Sequence, residues 1–177
     1  MIKLCRQEGL ETVNIVRKDE YVKDLRESYG EKYVLNQESP TFLKDLEPIL
    51  KDTQATILFE CLGGDLPGDI FAKMVSKSWM IVYGSLTKKR STFDAYDFRW
   101  NDKNITSFIL NRWIVSLEPE VRQQQFQRVA DDLQNNQGHI FGSQIVKEVP
   151  LEDWKEAMEE SEKLASEGKF IIKCHRN

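Results

Sequence analysis

Arg17, Lys18 and Asp19 stand where an apolar run, TVNIVR, gives way to a helical stretch. In sheets that bind dinucleotides, a strand end of this kind faces the adenosine ribose. A carboxylate there accepts a hydrogen bond from the 2′-hydroxyl, whereas a cation suits a 2′-phosphate. Basic residues in that place therefore predict a preference for NADPH over NADH. On local sequence alone, solvated charges between strand and helix account for the same residues.

Gly63 and Gly64 follow FECL, and Tyr83, Gly84 and Ser85 follow MIV. Glycine directly after a buried strand lets backbone approach a ligand, and it also makes a plain turn. His139 and His175 have no carboxylate or thiolate at catalytic or metal-ligand spacing, so they read as surface or loop histidines. Cys5, Cys61 and Cys174 lie far apart with no CxxC or Cys/His pattern, which predicts reduced thiols, an intracellular compartment and no metal site. Phe108, Leu110 and Trp113 form an apolar cluster that reads as core packing or a covered sheet edge.

The elements that must position these residues alternate. Ile2 to Glu8 reads as the end of a helix closed by Gly9, and Thr12 to Arg17 as a buried strand. Asp19 caps a helix running to Tyr29, with Tyr21, Val22, Leu25 and Tyr29 at helical spacing, and Gly30 ends it. Strands are expected at Tyr33–Asn36, Ala55–Cys61, Trp79–Tyr83 and Ile105–Leu110. Helices are expected at Thr41–Leu50, where Pro48 leaves the end open, around Ile70–Val75, and at Pro119–Asn135. After the loop at Asn135–Gly138, Ile140–Val149 is extended, Leu151–Glu167 helical and Phe170–Lys173 a short strand. Short β-rich runs alternating with helices predict a parallel sheet with crossover helices. A hand-over between two structural units is expected near Asn135.

With 177 residues, 40% hydrophobic and 31% charged, the chain can bury a real core. A net charge of −4 and a pI near 5.4 argue against nucleic acid or an anionic membrane as the main partner, since either favours a basic face. Met1 to Leu10 has no apolar core of signal-peptide length.

With the elements placed, IKLCRQEGLETVNIVRKDE (Ile2 to Glu20) resembles the second half of the first Rossmann helix plus the second strand of the medium-chain dehydrogenase/reductase superfamily. YVLN, FECLGG, VYGSL, FILNRW and GKFIIK then follow in the family's order and approximate spacing. The resemblance covers nearly the whole chain. Within the superfamily it is most similar to mitochondrial trans-2-enoyl-CoA reductases and their quinone-reductase-like relatives, which bind NADPH without a catalytic zinc. It implies that Arg17, Lys18 and Asp19 sit at the 2′-phosphate, and that Tyr83, Gly84, Ser85 and Leu86 run along the cofactor near its nicotinamide half. Phe108, Ile109 and Leu110 would support the nicotinamide face, and Lys169 would approach from the returning terminal segment.

Relatives of this kind have, before the position matching Met1, a substrate domain, the first Rossmann strand and a glycine-rich turn. That turn and the helix it opens hold the pyrophosphate. Their absence from the sequence predicts an α/β, incomplete Rossmann-type doubly wound parallel sheet. Residues 1–136 would be most of a cofactor domain, and 137–177 the segment returning to the substrate domain. Strand order 3-2-1-4-5-6 puts the missing strand between the strands at Thr12 and Ala55. The expected function is that of the carboxy-terminal part of an NADPH-dependent enoyl thioester reductase, inactive alone, with no catalytic residue to name. A homodimer and a mitochondrial location come with the family. The alternatives are a non-catalytic interaction or dimerisation protein, a quinone-reductase-like enzyme, and a truncated reading frame.

Overall fold

The computed structural model describes residues 1–164 and 167–174; His175 lies outside them. The described chain forms two compact units, a larger one built from Leu4–Leu117 and a smaller one from Glu118 onward.

The larger unit begins with α1 (Ile2–Gln7) and continues β1 (Val13–Val16), α2 (Asp19–Glu27), β2 (Tyr33–Asn36), α3 (Phe42–Thr53) and β3 (Ile57–Glu60). It ends α4 (Leu66–Lys73), β4 (Trp79–Val82), α5 (Ala95–Arg99), β5 (Asn104–Ser107) and α6 (Leu110–Ser116). Local chemistry explains several boundaries. Asp19 and Glu20 occupy the first turn of α2 and Arg26 its last, matching the helix dipole at both ends. Gly30, at φ 67°, then closes it with its N–H on the Arg26 carbonyl. In α3 the helix runs through Pro48 to Thr53 although proline removes a backbone donor. The stripe Phe42, Leu46 and Leu50, spaced four residues apart and all buried, holds the helix against the core and outweighs that loss.

All pairings in this unit are parallel, and they fall into two sheets, β1-β2 and β3-β4-β5. Among the described residues β1 pairs only with β2, and β3 only with β4. The strands expected to lack a shared neighbour are thus each open on one side. Ile57 and Phe59 on β3 are about half exposed, unlike the buried faces usual for parallel strands. The two sheets are joined through side chains. Leu35 of β2, Leu46 and Leu50 of α3, Phe71 of α4 and Met80 of β4 form one core, with Val13 and Ile15 of β1 and Leu58 of β3 packed against it.

Two expectations need correction here. The fifth strand ends at Ser107 rather than Leu110, because Ile109 is already the extended residue that starts α6. Helices α5 and α6 were not legible from periodicity, being only five and seven residues long.

The smaller unit contains α7 (Pro119–Asn135), β6 (Ile145–Pro150), a 3-10 turn at Leu151–Asp153, α8 (Trp154–Lys163) and β7 (Lys169–Lys173), with β6 and β7 parallel. Its extended stretch starts at Ile145, not Ile140. The buried Asp132 carboxylate accepts from the Ile140 and Phe141 N–H groups, tying α7 to the segment after it. Compactness therefore groups α7 with the residues that follow, whereas the composition change lies at the far end of the same helix.

Candidate cofactor-binding edge

In a parallel sheet every strand leaves at the same edge, and ligands of α/β folds bind outside those carboxyl ends. At the end of β1, Arg17 is exposed and has no ion-pair or hydrogen-bond partner among the described residues. Lys18 is already engaged, 2.9 Å from Glu20 Oε1 and with its ammonium over the Tyr21 ring. Asp19 Oδ1 accepts from Asn36 Nδ2 at 2.8 Å, and the Gln37 N–H donates to the Val16 carbonyl, so the exits of β1 and β2 are tied together. Of the three expected residues, Arg17 is the cation left available.

The exits of β3 and β4 are fused. The Tyr83 N–H donates to the Glu60 carbonyl, the Leu86 N–H to Cys61, and the Thr87 N–H to Leu62. A Cβ on Gly84 would come within 3.1 Å of the Cys61 Cβ, and one on Gly63 within 3.0 Å of the Lys89 carbonyl. The two glycine breaks read separately in the sequence are thus one structural feature, two turns packed backbone on backbone. Glycine suits both places, since a Cβ would crowd the neighbouring turn at each and Gly63 also takes a left-handed φ of 77°. The Glu60 side chain, itself buried, accepts from the Leu62 and Gly63 N–H groups and holds the first turn open. Tyr83 hydrogen-bonds to Cys61, is partly desolvated and lies near the Glu60 charge; its phenol is pushed up to about 12 and stays a protonated donor.

At the end of β5 the Phe108 N–H continues the ladder to the Val82 carbonyl, and Ile109 and Leu110 lead into α6. Phe108 packs on Trp113 with ring centroids 6.0 Å apart. Ser107, Phe108, Ile109, Arg112, Trp113 and Ser116 line an open pocket of about 290 Å³. The expectation of core packing is corrected, since Phe108, Ile109, Leu110 and Trp113 are all exposed. Lys169 opens β7 in the smaller unit, its N–H on the Gln144 carbonyl.

The sequence reading passed over Glu60, Thr87 and the run Lys88, Lys89, Arg90. The signal was present in the run itself, three adjacent cations beginning four residues after Gly84. Among the described residues no three His, Cys, Asp or Glu side chains are placed to hold a metal, and no helix is long and apolar enough to cross a membrane.

No family model matches the chain. A mitochondrial enoyl-[acyl-carrier-protein] reductase of Caenorhabditis elegans is 27% identical over 164 residues, covering 90% of this chain and 45% of the relative. The structure superposes on a solved NADPH:quinone reductase assignment from Mesorhizobium loti with a TM-score of 0.74, at 24% identity, over 98% of this chain and 48% of that one. The fold is that of the medium-chain reductases. The Etr1p complex with NADP and crotonyl-CoA matches with a TM-score of 0.76, 15% identity, 97% of this chain and 49% of that one. The chain spans about half the length of the relatives it matches. Those relatives are enoyl reductases and quinone reductases, the classes to which the sequence motifs pointed.

Proposed function

We propose that this chain is the cofactor-handling half of an NADPH-dependent reductase acting on an enoyl thioester, and that it works in mitochondria as its named relative does. The observation that carries the reading is Arg17, a cation with no partner among the described residues at the carboxyl end of β1, on the same unit as the fused glycine turns after β3 and β4. Arg17 is free to take the 2′-phosphate, with Asp19 fixed beside it by Asn36. Tyr83, Gly84, Ser85 and Leu86 leave β4 at its carboxyl end, where the nicotinamide half would run. Phe108, Ile109 and Leu110 offer an apolar surface for the ring. Bound there, NADPH would supply hydride to the β-carbon of an alkene activated by the thioester. No residue of this chain is assigned a proton-transfer role.

Titrating the purified chain with NADPH and with NADH tests the reading. Binding of NADPH at least tenfold tighter than NADH supports it, and equal or absent binding of both removes it.

A second reading, a surface for self-association, is favoured by one observation. Phe108, Ile109, Leu110 and Val115 are all exposed beside β5, whose outer edge is unpaired among the described residues. Sedimentation of the chain across a concentration series measures it directly.

A further inference from the structure

Between β4 and α5 the chain runs Ser85, Leu86, Thr87, Lys88, Lys89, Arg90. We propose that Lys88, Lys89 and Arg90, held by a loop clamped over the Gly63–Gly64 turn and the first turn of α4, receive the phosphate groups of a coenzyme A arm. This deepens the enoyl thioester reading and rests on it.

The loop is built, not draped. The Leu86 and Thr87 N–H groups and the Thr87 hydroxyl all donate to the carbonyls of Cys61 and Leu62, at 2.7 to 2.9 Å. The Thr87 hydroxyl in turn accepts from the Lys89 N–H. On one side the Lys89 carbonyl lies against Gly63, and on the other the Thr92 carbonyl lies where a Cβ of Gly68 would be, 2.0 Å away. The backbone carrying the three cations is thus fixed at both ends.

Their charge is uncommitted. Elsewhere in this acidic chain several lysines are neutralised locally, as Lys51 and Lys73 by Glu47, Lys103 by Asp97, and Lys147 by Glu160. The side chains of Lys88, Lys89 and Arg90 are exposed and have no acidic partner among the described residues. Self-repulsion between adjacent cations is unfavourable, and a polyphosphate anion relieves it.

Lys88 also adopts a left-handed backbone, φ 56°. Among the described residues five non-glycine residues do so, and Gln54, Lys77, Asp102 and Gln137 all follow helices. Among the described residues Lys88 is the one on the carboxyl edge, where α/β folds bind ligands. A lysine kept where glycine would be less strained points to use of its side chain.

The thioester arm is favoured over the cofactor by place. The loop leaves β4, where the nicotinamide half is proposed to lie, whereas the 2′-phosphate is assigned to Arg17 at β1. A substrate reacting at the nicotinamide has its own phosphates trailing outward from there.

Calorimetric titration of the full chain with coenzyme A, 3′-dephospho-coenzyme A and NADPH tests the inference. The wild type should bind coenzyme A several-fold more tightly than the dephospho form, with the difference shrinking at high salt. Replacing all three residues with Gln should cost about tenfold in coenzyme A affinity, as a few-fold for each exposed charge, and abolish the distinction. NADPH affinity should not change. Lys88→Gly, which relieves the backbone and so keeps the fold, should also weaken coenzyme A alone. The proposal is overturned if the wild type does not bind coenzyme A, if the triple variant binds it as the wild type does, or if NADPH is lost in parallel. It is equally overturned if only an acidic carrier protein responds. Coenzyme A binding without NADPH binding would remove the cofactor reading and leave this site standing.

Discussion

Lys103 Nζ lies 2.7 Å from Asp97 Oδ1, and both side chains are almost wholly shielded from solvent. The same ammonium donates to the Phe71 and Ala72 carbonyls near the end of α4, so one buried cation neutralises a carboxylate and caps a helix. Removing either partner leaves a buried charge uncompensated, a cost of about 3–5 kcal/mol. Lys103→Met should therefore destabilise the chain by about that much in denaturant melts, and Lys103→Met with Asp97→Asn by clearly less. Equal losses in the single and double variants would show that capping, not charge, dominates.

Arg17→Glu should weaken NADPH binding by about tenfold to a hundredfold, the range for one charge-assisted contact to phosphate. NADH affinity should hardly move. Since Arg17 is exposed, added salt should narrow the NADPH loss. Parallel losses for both cofactors would point to a folding defect.

Glu31 ties α1, β1 and β2 together. Burial alone would raise its carboxyl, but hydrogen bonds from Thr12, Arg6 and Asn14, together with the Arg6 charge, outweigh it and hold the group below its ordinary value of 4.5. A depressed folded value means the stabilisation is complete above the unfolded value and disappears as pH falls through the folded one. The stability gap between wild type and Glu31→Gln should be constant near neutral pH and shrink below about pH 4.5. Urea midpoints measured from pH 7 to pH 3 decide it, and a gap that widens in acid would contradict the assignment.

Strand alternation makes the open edges separately testable. The carbonyls of Thr56 and Glu60 accept from β4, and that of Val16 from the Gln37 N–H on the β2 side. Alternate residues face opposite neighbours, so Val13, Ile15, Ile57 and Phe59 turn their N–H groups to the unpaired sides. Their amides should exchange fast in the monomer, while those of Asn14, Val16, Leu58 and Glu60 are protected. Protection of all eight would mean that another strand occupies the edges, which self-association at high concentration would reveal.

Gly68→Ala drives a methyl into the Thr92 carbonyl. The loop must give way, at a cost of about 1–3 kcal/mol for an overpacked site. Trypsin cleavage after Lys88, Lys89 and Arg90 should then accelerate while circular dichroism stays near wild type.

The alternation of β-rich and helical runs was enough to place four strands of the larger unit and α7, because each carries its own period. Helix α3 was legible too, yet its passage through Pro48 was not, since the packing of Phe42, Leu46 and Leu50 that overrides proline is tertiary. At the candidate site, glycine after a strand marked Gly63 and Gly84 as either an approach to a ligand or a plain turn, and the structure packs both against neighbouring protein backbone. The packing of Gly84 on Cys61 and of Gly63 on Lys89 could not be read, because it depends on strands β3 and β4 being neighbours. The exposure of Phe108 and Ile109 was hidden for the opposite reason, since an apolar cluster has the same composition whether a sheet covers it or leaves it bare.

The two sheets of the larger unit share no ladder, so α3, with the Lys73–Glu47 ion pair and the Tyr33–Asp52 hydrogen bond at its surface, joins them chiefly by oily contact. Such contacts lose strength on cooling, whereas the ladders within each sheet do not depend on them in the same degree. The joint between β1-β2 and β3-β5 is therefore a cold-sensitive seam, and near freezing the chain should come apart there first, sheet from sheet, with its strands still paired.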